Sequence, residues 1–171
     1  KSDSTMAAVI GSNAKIIEEI CAQQAGIVVP ANYNSPNQIV ISGDRQAIET
    51  TCQILLDNGA KKTVILPVSG AFHSPIMESA KTKLKLAIEN TYFQNSKYPV
   101  YQNVSAQAVS DKNHVKENLI SQLTSPVKWY QTIENMINQG VSEFIEVGPK
   151  NVLTGLNKRI NRQVSSLKAE I

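Results

Sequence analysis

Leu66-Pro67-Val68-Ser69-Gly70-Ala71-Phe72-His73-Ser74-Pro75-Ile76-Met77 is the stretch on which the reading of this chain turns. The β-branched run Thr63-Val64-Ile65-Leu66 leads into it and reads as a buried strand. Gly70 supplies a flexible backbone position. An amphipathic helix begins near Ser74-Pro75, with proline in the first turn where its missing N–H costs nothing. The stretch is therefore a strand-to-helix turn that presents His73. In α/β proteins such turns are where ligands and chemistry collect.

Upstream of the turn the elements alternate. Thr5 to Gly11 reads as a short apolar strand. Asn13 to Gln24 carries Ile16, Ile17, Ile20 and Cys21 at helical spacing, with Gly26 ending the helix. Ile27 to Tyr33 is extended, and Pro30 places it at a sheet edge or bulge. Asn34-Ser35-Pro36-Asn37 is a turn cluster, and Gln38 to Gly43 is the strand that completes a hairpin. Asp44 reads as an N-cap for a helix lined by Ile48, Thr51, Cys52 and Leu55 and stopped by Asn58-Gly59. Lys62 to Val68 is the next strand. The order βαββαβ over residues 5–68 is that of a ferredoxin-like split βαβ unit.

Downstream, Met77, Ala80, Leu84 and Ile88 mark one side of the helix after His73. Val100 to Val104 reads as a strand. Val115, Leu119 and Leu123 mark a helix ending before Pro126, and Trp129, Ile133, Met136 and Ile137 mark another, capped by Gly140. Phe144 to Val147 reads as a buried strand before the sharp turn Gly148-Pro149. A helix from about Val152 to Ile160 and a strand from Val164 to Leu167 follow. Strands alternating with helices predict a parallel α/β layer. The expected division is 1–68 and 69–171.

With 171 residues, 42% of them hydrophobic and 18% charged, the chain is a globular one, long enough for one domain or two subdomains sharing a core. The net charge of +3 is mild, and no Lys/Arg run interleaved with aromatics points to nucleic acid. No apolar run approaches the roughly 18 residues that would mark a membrane span, and no signal peptide is visible. Cys21 and Cys52 fall on apolar helix faces and read as buried thiols, not as a disulfide framework or metal site. A cytoplasmic location follows from these features as an expectation. Lys1 rather than Met stands first, which hints at a piece of a longer chain.

A histidine raised on a turn acts as a general base when its second ring nitrogen is held by an acceptor. It needs a nucleophile to activate. The nearest approach to a Gly-x-Ser-x-Gly elbow, Gly140-Val141-Ser142-Glu143-Phe144, lacks the closing glycine and precedes a strand. Ser69 and Ser74 flank His73 too closely to point at it. His114 sits in a polar stretch beside Asn113 and reads as solvated. Metal-ligand spacing, a P-loop and a dinucleotide fingerprint are all missing. The residues alone give a base without a nucleophile.

Four stretches resemble malonyl-CoA:acyl carrier protein transacylases. Asn32 to Gly43 resembles that family's Asn-rich hairpin, and Val68 to Met77 its catalytic-histidine motif. Gln122 to Trp129 and Glu146 to Leu156 resemble two further signatures, in the family's order. The resemblance implies an α/β-hydrolase-like large subdomain with an inserted ferredoxin-like small one, and the reading of residues 5–68 agrees with that insertion. It also implies a nucleophilic serine in a Gly-His-Ser-x-Gly elbow, an arginine for the malonyl carboxylate and an oxyanion-hole donor, none of which this sequence contains. Arg45, Arg159 and Arg162 match no such motif. The chain thus resembles the C-terminal part of the enzyme, with the N-terminal segment of the same protein as its first partner.

By resemblance, His73 is the base that activates the serine and protonates the departing thiol of CoA, and Gln122 orients it through a backbone carbonyl. Phe72, beside His73, goes with unbranched malonyl, where a smaller residue goes with methylmalonyl; such pocket discrimination is worth ~1–3 kcal/mol. Asn32 and Asn34 have two readings, as partners of the pantetheine amides or as turn caps. Lys61 and Lys62 likewise read as a contact for an acidic carrier protein or as a solvated face. No metal and no bound cofactor is expected, since CoA and phosphopantetheine belong to the substrates. The expected partners are malonyl-CoA and acyl carrier protein, without nucleic acid or membrane. The alternatives are an acyltransferase fragment of a polyketide synthase and a non-catalytic carrier-protein-binding module.

Overall fold

The structure, a computed structural model, describes residues 3–170; Lys1, which hinted at a longer parent chain, lies outside them. The first six elements are β1 (Ser4–Ile10), α1 (Ala14–Ala22), β2 (Val28–Ser35), β3 (Gln38–Asp44), α2 (Arg45–Asp57) and β4 (Lys62–Ile65). The strands form one antiparallel sheet in the order β2-β3-β1-β4. Alternate residues of a strand face opposite sides, and both sides of β1 are covered. Ala7 and Val9 join Ile17, Ile41, Ile48 and Leu55 under the two helices, all fully buried. Met6 and Ala8 face the other way, with Ala31 and Val40, where Leu66 and Val68 pack on them. Cys21 and Cys52 are buried free thiols within the first cluster, as their spacing predicts. Burial pushes the Cys21 thiol up to about 12.

Pro30 lies on the outer strand at a register shift, so its missing N–H interrupts no ladder. That edge is closed by one parallel bridge from Asn32 to Val127. The Tyr33 N–H donates to the Val127 carbonyl at 2.8 Å, and the Val127 N–H to the Ala31 carbonyl at 2.8 Å. Gly43 is required by close approach: a Cβ there would collide with the Ile27 carbonyl.

Beyond the His73 turn come a 3-10 turn (Pro75–Met77), α3 (Glu78–Glu89), β5 (Val100–Tyr101), β6 (Ala108–Val109), α4 (Lys112–Ser121), α5 (Trp129–Asn138), β7 (Glu143–Glu146), α6 (Val152–Ile160) and β8 (Ser165–Lys168). Helices α3 and α4 pack together, and α5 and α6 both pack on β2. β7 and β8 are parallel with α6 as their crossover, the connection that parallel neighbours require.

Several expectations need correction. β4 stops at Ile65 and is not buried: Val64 is 37% and Ile65 41% exposed, because β4 is the outermost strand beside β1. β7 is likewise open, with Ile145 57% exposed, because β8 is its sole sheet partner among the described residues. Asp44 occupies the N-cap position of α2 but caps nothing; its carboxylate accepts from the Ile27 N–H at 2.8 Å and ties β3 to the loop before β2. The hairpin turn is tighter than the cluster of turn residues implies, since Ser35 pairs with Gln38 and leaves Pro36-Asn37 as the turn. α1 ends at Ala22, and Gly26 lies four residues on, in the loop, at φ +94°. Only Val100 and Tyr101 of the expected 100–104 strand are paired, to the unforeseen β6. The helix after His73 begins as a 3-10 turn.

Candidate active site

His73 has φ +58°, a left-handed conformation that costs a non-glycine residue ~1–3 kcal/mol. Ser74 over-determines it. The Ser74 side chain is fully buried; its hydroxyl donates to the Ala71 carbonyl at 2.6 Å and accepts from the Ile76 N–H at 3.3 Å. The Met77 N–H closes the turn on the Ser74 carbonyl at 3.1 Å. With Pro75 next in line, Ser74 is the N-cap of the 3-10 turn. Ser74 is thus committed to the backbone and does not face the His73 ring.

The His73 Nδ1 lies 2.8 Å from the Gln122 backbone carbonyl oxygen. Gln122 is the C-cap of α4. The last carbonyls of a helix have no partner within it, so the helix end offers a fixed acceptor at no cost to its own hydrogen bonds. The Gln122 N–H meanwhile donates to the Asn118 carbonyl at 3.0 Å. A carbonyl accepts only, so in the neutral imidazole Nδ1 carries the proton and Nε2 keeps the lone pair. The ring is half-buried, and Nδ1···Gln122 is its one hydrogen bond among the described residues. Phe72 sits beside it, 42% exposed, with its ring folded back over Gly70.

The remaining predicted residues lie elsewhere. Asn32 and Asn34, on β2, line a groove of about 560 Å³ with Gln38, Trp129, Asn151 and Arg159. Neither asparagine side chain makes a hydrogen bond among the described residues, so neither caps a turn there. His73 and Phe72 do not line this groove. Lys61 and Lys62 are exposed at the end of β4 remote from the turn, and the Lys61 stem lies over Gly11. His114 is solvated, as its polar surroundings predict, with a side chain 70% exposed.

Two of the four motifs turn out to build the scaffold. The Trp129 indole N–H donates to Asn157 Oδ1 at 3.2 Å, and Asn157 Nδ2 donates to the Ser166 hydroxyl at 3.2 Å. This chain of bonds locks α5, α6 and β8 together. Glu146 receives the Thr154 N–H and hydroxyl, both at 2.8 Å, and the Leu153 N–H at 3.2 Å. The Thr154 N–H, foremost among these bonds, holds the Glu146 carboxyl below its ordinary range. Sequence reasoning placed a helix start at Ser74-Pro75, as found, but missed the bonds of the Ser74 hydroxyl and the role of Glu146. A Ser-Pro pair is a recognisable helix-start signature, whereas Glu146 acts across eight residues with no local signal.

No helix among the described residues is long and apolar enough to cross a membrane. No group of three or more His, Cys, Asp and Glu suited to a metal ion occurs among them.

A family model described as acyl transferase domain matches residues 2–170, and the chain belongs to that family. It is 39% identical over 168 residues to the malonyl CoA-acyl carrier protein transacylase of Bacillus subtilis strain 168, covering 96% of this chain and 53% of the relative. Among solved structures, an acyl carrier protein S-malonyltransferase from Vibrio cholerae is 38% identical with a TM-score of 0.95, matching 98% of this chain and 56% of that one. A malonyl-transacylase in complex with its type II polyketide synthase acyl-carrier protein is 34% identical, also with a TM-score of 0.95, matching 99% of this chain and 55% of that one. The chain spans about half the length of the relatives it matches.

Proposed function

We propose that this chain is the histidine-bearing part of a malonyl-CoA:acyl carrier protein transacylase serving fatty acid synthesis. The observation that carries the reading is the His73 Nδ1 contact with the Gln122 carbonyl. A base held in one tautomer, with Nε2 making no hydrogen bond among the described residues, suits a proton shuttle. In this reading residues 1–68 are a ferredoxin-like subdomain inserted in an α/β-hydrolase-like one, to which residues 69–171 contribute. The nucleophilic serine, the carboxylate-binding arginine and the oxyanion donor come from the part of the parent protein outside this chain.

The steps balance with one travelling proton. Nε2 takes the serine hydroxyl proton while the oxygen attacks the malonyl thioester carbon. The tetrahedral adduct collapses, the C–S bond breaks, and His73 returns the proton to the CoA sulfur. The phosphopantetheine thiol of the carrier protein then gives its proton to Nε2 and attacks the ester, and the serine regains the proton as the C–O bond breaks. The Gln122 carbonyl holds the ring through both half-reactions without the full charge an aspartate would bring. The chemistry calls for no bound cofactor and no metal, and it suits a cytoplasmic enzyme. Phe72 bounds the acyl pocket, Asn32 and Asn34 meet the pantetheine amides, and Lys61 and Lys62 face the carrier protein.

The test uses labelled malonyl-CoA and intact mass. The chain alone is expected to gain no malonyl group, while the full-length parent gains one on a serine outside these residues. A stable ester on this chain alone would overturn the reading. So would a full-length His73→Ala variant that transferred malonyl at the wild-type rate.

A further inference from the structure

Among the described residues, two that are not glycine have a left-handed backbone, His73 at φ +58° and Ala106 at φ +54°. Strain of this kind persists only where its surroundings hold it, and it gathers where geometry serves function. Ala106 is 3% exposed. Its N–H donates to the Gln102 carbonyl at 3.0 Å, and its own carbonyl accepts from Asn135 Nδ2, on α5, at 2.8 Å. The Asn103 carbonyl accepts from the Lys128 N–H, just ahead of α5, at 3.0 Å. Residues 102–106 are thus a tight loop anchored at α5, and Gln102, directly after β5, is the residue it extends to α4.

The Gln102 side chain uses both ends of its amide on α4. Its Nε2 donates to the Val115 carbonyl at 3.1 Å, and its Oε1 accepts from Asn118 Nδ2 at 3.0 Å. The orientation is forced: a carbonyl accepts only, so the nitrogen of Gln102 faces Val115 and the oxygen is left for Asn118. Val115 and Asn118 are three residues apart and share a helix face. Gln122 lies four residues beyond Asn118 on that face, and its N–H donates to the Asn118 carbonyl at 3.0 Å. The next link is the Gln122 carbonyl, 2.8 Å from His73 Nδ1. A hydrogen-bond path therefore runs from α5 through Ala106, Gln102 and Asn118 to the helix end that holds the imidazole. α4 depends on such ties, because none of its own residues is fully buried.

We propose that Gln102 is a positioning residue for the transfer reaction: it clamps α4 against rotation and sliding, so that the Gln122 carbonyl stays in line with His73 Nδ1. The proposal rests on the transacylase reading above and adds to it a residue that reaches the imidazole through α4. Hydrogen bonds are directional, so the two ends of one amide fix both where α4 lies and how it is turned. A carbonyl that drifts from Nδ1 releases the ring to its other tautomer, in which Nε2 already carries a proton and cannot accept one.

The experiment uses the full-length parent protein. Gln102→Met keeps the length of the side chain and removes its donor and acceptor. Its kcat is expected to fall ~10–10²-fold, with KM for malonyl-CoA unchanged. Nitrogen-15 NMR of the neutral imidazole reads the tautomer: the wild type is expected to hold the Nδ1–H form, and Gln102→Met to show a mixture. Asn118→Leu cuts the same bond from the helix side and is expected to act in the same direction; should Gln102→Met not fold, Asn118→Leu carries the same measurements. The double variant is expected to be no worse than the worse single one, because both remove one interaction. Asn95→Ala is the structural control. It removes the 2.9 Å bond from the Lys112 N–H to Asn95 Oδ1 at the far end of α4, and is expected to lower the melting temperature with kcat and tautomer unchanged. Wild-type kcat and a single tautomer in Gln102→Met overturn the proposal. So do equal losses of kcat in Gln102→Met and Asn95→Ala, because the stability of α4 alone then accounts for both. His73→Ala separates the two claims: if it leaves transfer intact the transacylase reading falls, and if it abolishes transfer while Gln102→Met keeps kcat, only the positioning role falls.

Discussion

His73 and Gln122 are 49 positions apart, and the imidazole Nδ1 of one lies 2.8 Å from the backbone carbonyl oxygen of the other. The contact joins the end of one helix to the start of another, since α4 stops at Gln122 and the 3-10 turn leading to α3 starts just after His73. α3 and α4 pack side by side, which holds the two ends in register. A main-chain acceptor has no side-chain rotamers to fix, unlike a side chain in the same place.

The first prediction follows from that choice of acceptor. In the full-length parent, His73→Ala is expected to lower transfer by ~10²–10⁴-fold, the usual weight of a general base. Gln122→Ala keeps the carbonyl and is expected to be mild. Phe72→Ser is expected to relax selection against methylmalonyl more than it harms malonyl transfer. Rates for the three variants with both acyl-CoAs provide the check. If Gln122→Ala matched His73→Ala with the fold intact, the side chain would have to act in the chemistry itself.

Ser74→Ala tests the turn. The substitution removes an N-cap, worth ~0.5–2 kcal/mol, and leaves the Ala71 carbonyl without its 2.6 Å donor. The left-handed φ of His73 then loses its main restraint. The melting temperature is expected to fall by a few degrees and kcat to fall with it, while KM for malonyl-CoA holds. A lower melting temperature with unchanged kcat would mean that the Gln122 contact alone positions the ring.

The sequence carried the βαββαβ order of the first part because each helix face repeats cleanly, as Ile48, Thr51, Cys52 and Leu55 do, and all four are buried. Pro30 likewise located the sheet edge. Burial of individual strands was not legible. Val64 and Ile145 belong to short apolar runs that look the same whether strands lie on both sides or on one, and here each strand is paired on one side only among the described residues. Asp44 illustrates a second limit. Its position as N-cap is local information, but its bond to Ile27, 17 residues away, depends on how two strands cross. His73 stood out through the strand-to-helix turn around it, marked by Gly70 and Ser74-Pro75, whereas Gln122 has no chemical signal at all, since its contribution is a carbonyl that every residue possesses.

The chain by itself is expected to be unevenly stable. Both buried hydrophobic clusters are built from residues between Met6 and Val68. The later part exposes Ile145, Val147, Val152, Leu153 and Leu167 around the open β7–β8 pair. Exposed apolar patches and unpaired strand edges favour self-association. Limited proteolysis is expected to cut first within residues 69–170 and to leave a fragment containing the four-stranded sheet, and the intact chain is expected to elute above monomer size. Even cleavage of both parts, in a monomer, would contradict this.

The last prediction is a pH dependence located at Glu146. Its carboxylate receives two backbone N–H groups and the Thr154 hydroxyl at the start of α6, and these bonds hold it below the reference value of 4.5. A group with a depressed folded pKa binds its proton more weakly when folded than when unfolded. Its contribution is therefore present above about 4.5 and is lost as pH falls through the lower folded value. Glu146→Gln keeps the shape and removes the charge. The melting temperature of the variant is expected to lie below that of the wild type at neutral pH, and the gap is expected to close on acidification below 4.5. Melting curves of both proteins across that range supply the measurement. A gap that stayed constant from neutral pH to well below the folded value would show that the charge on Glu146 contributes nothing, and that Thr154 and Leu153 need only a neutral acceptor.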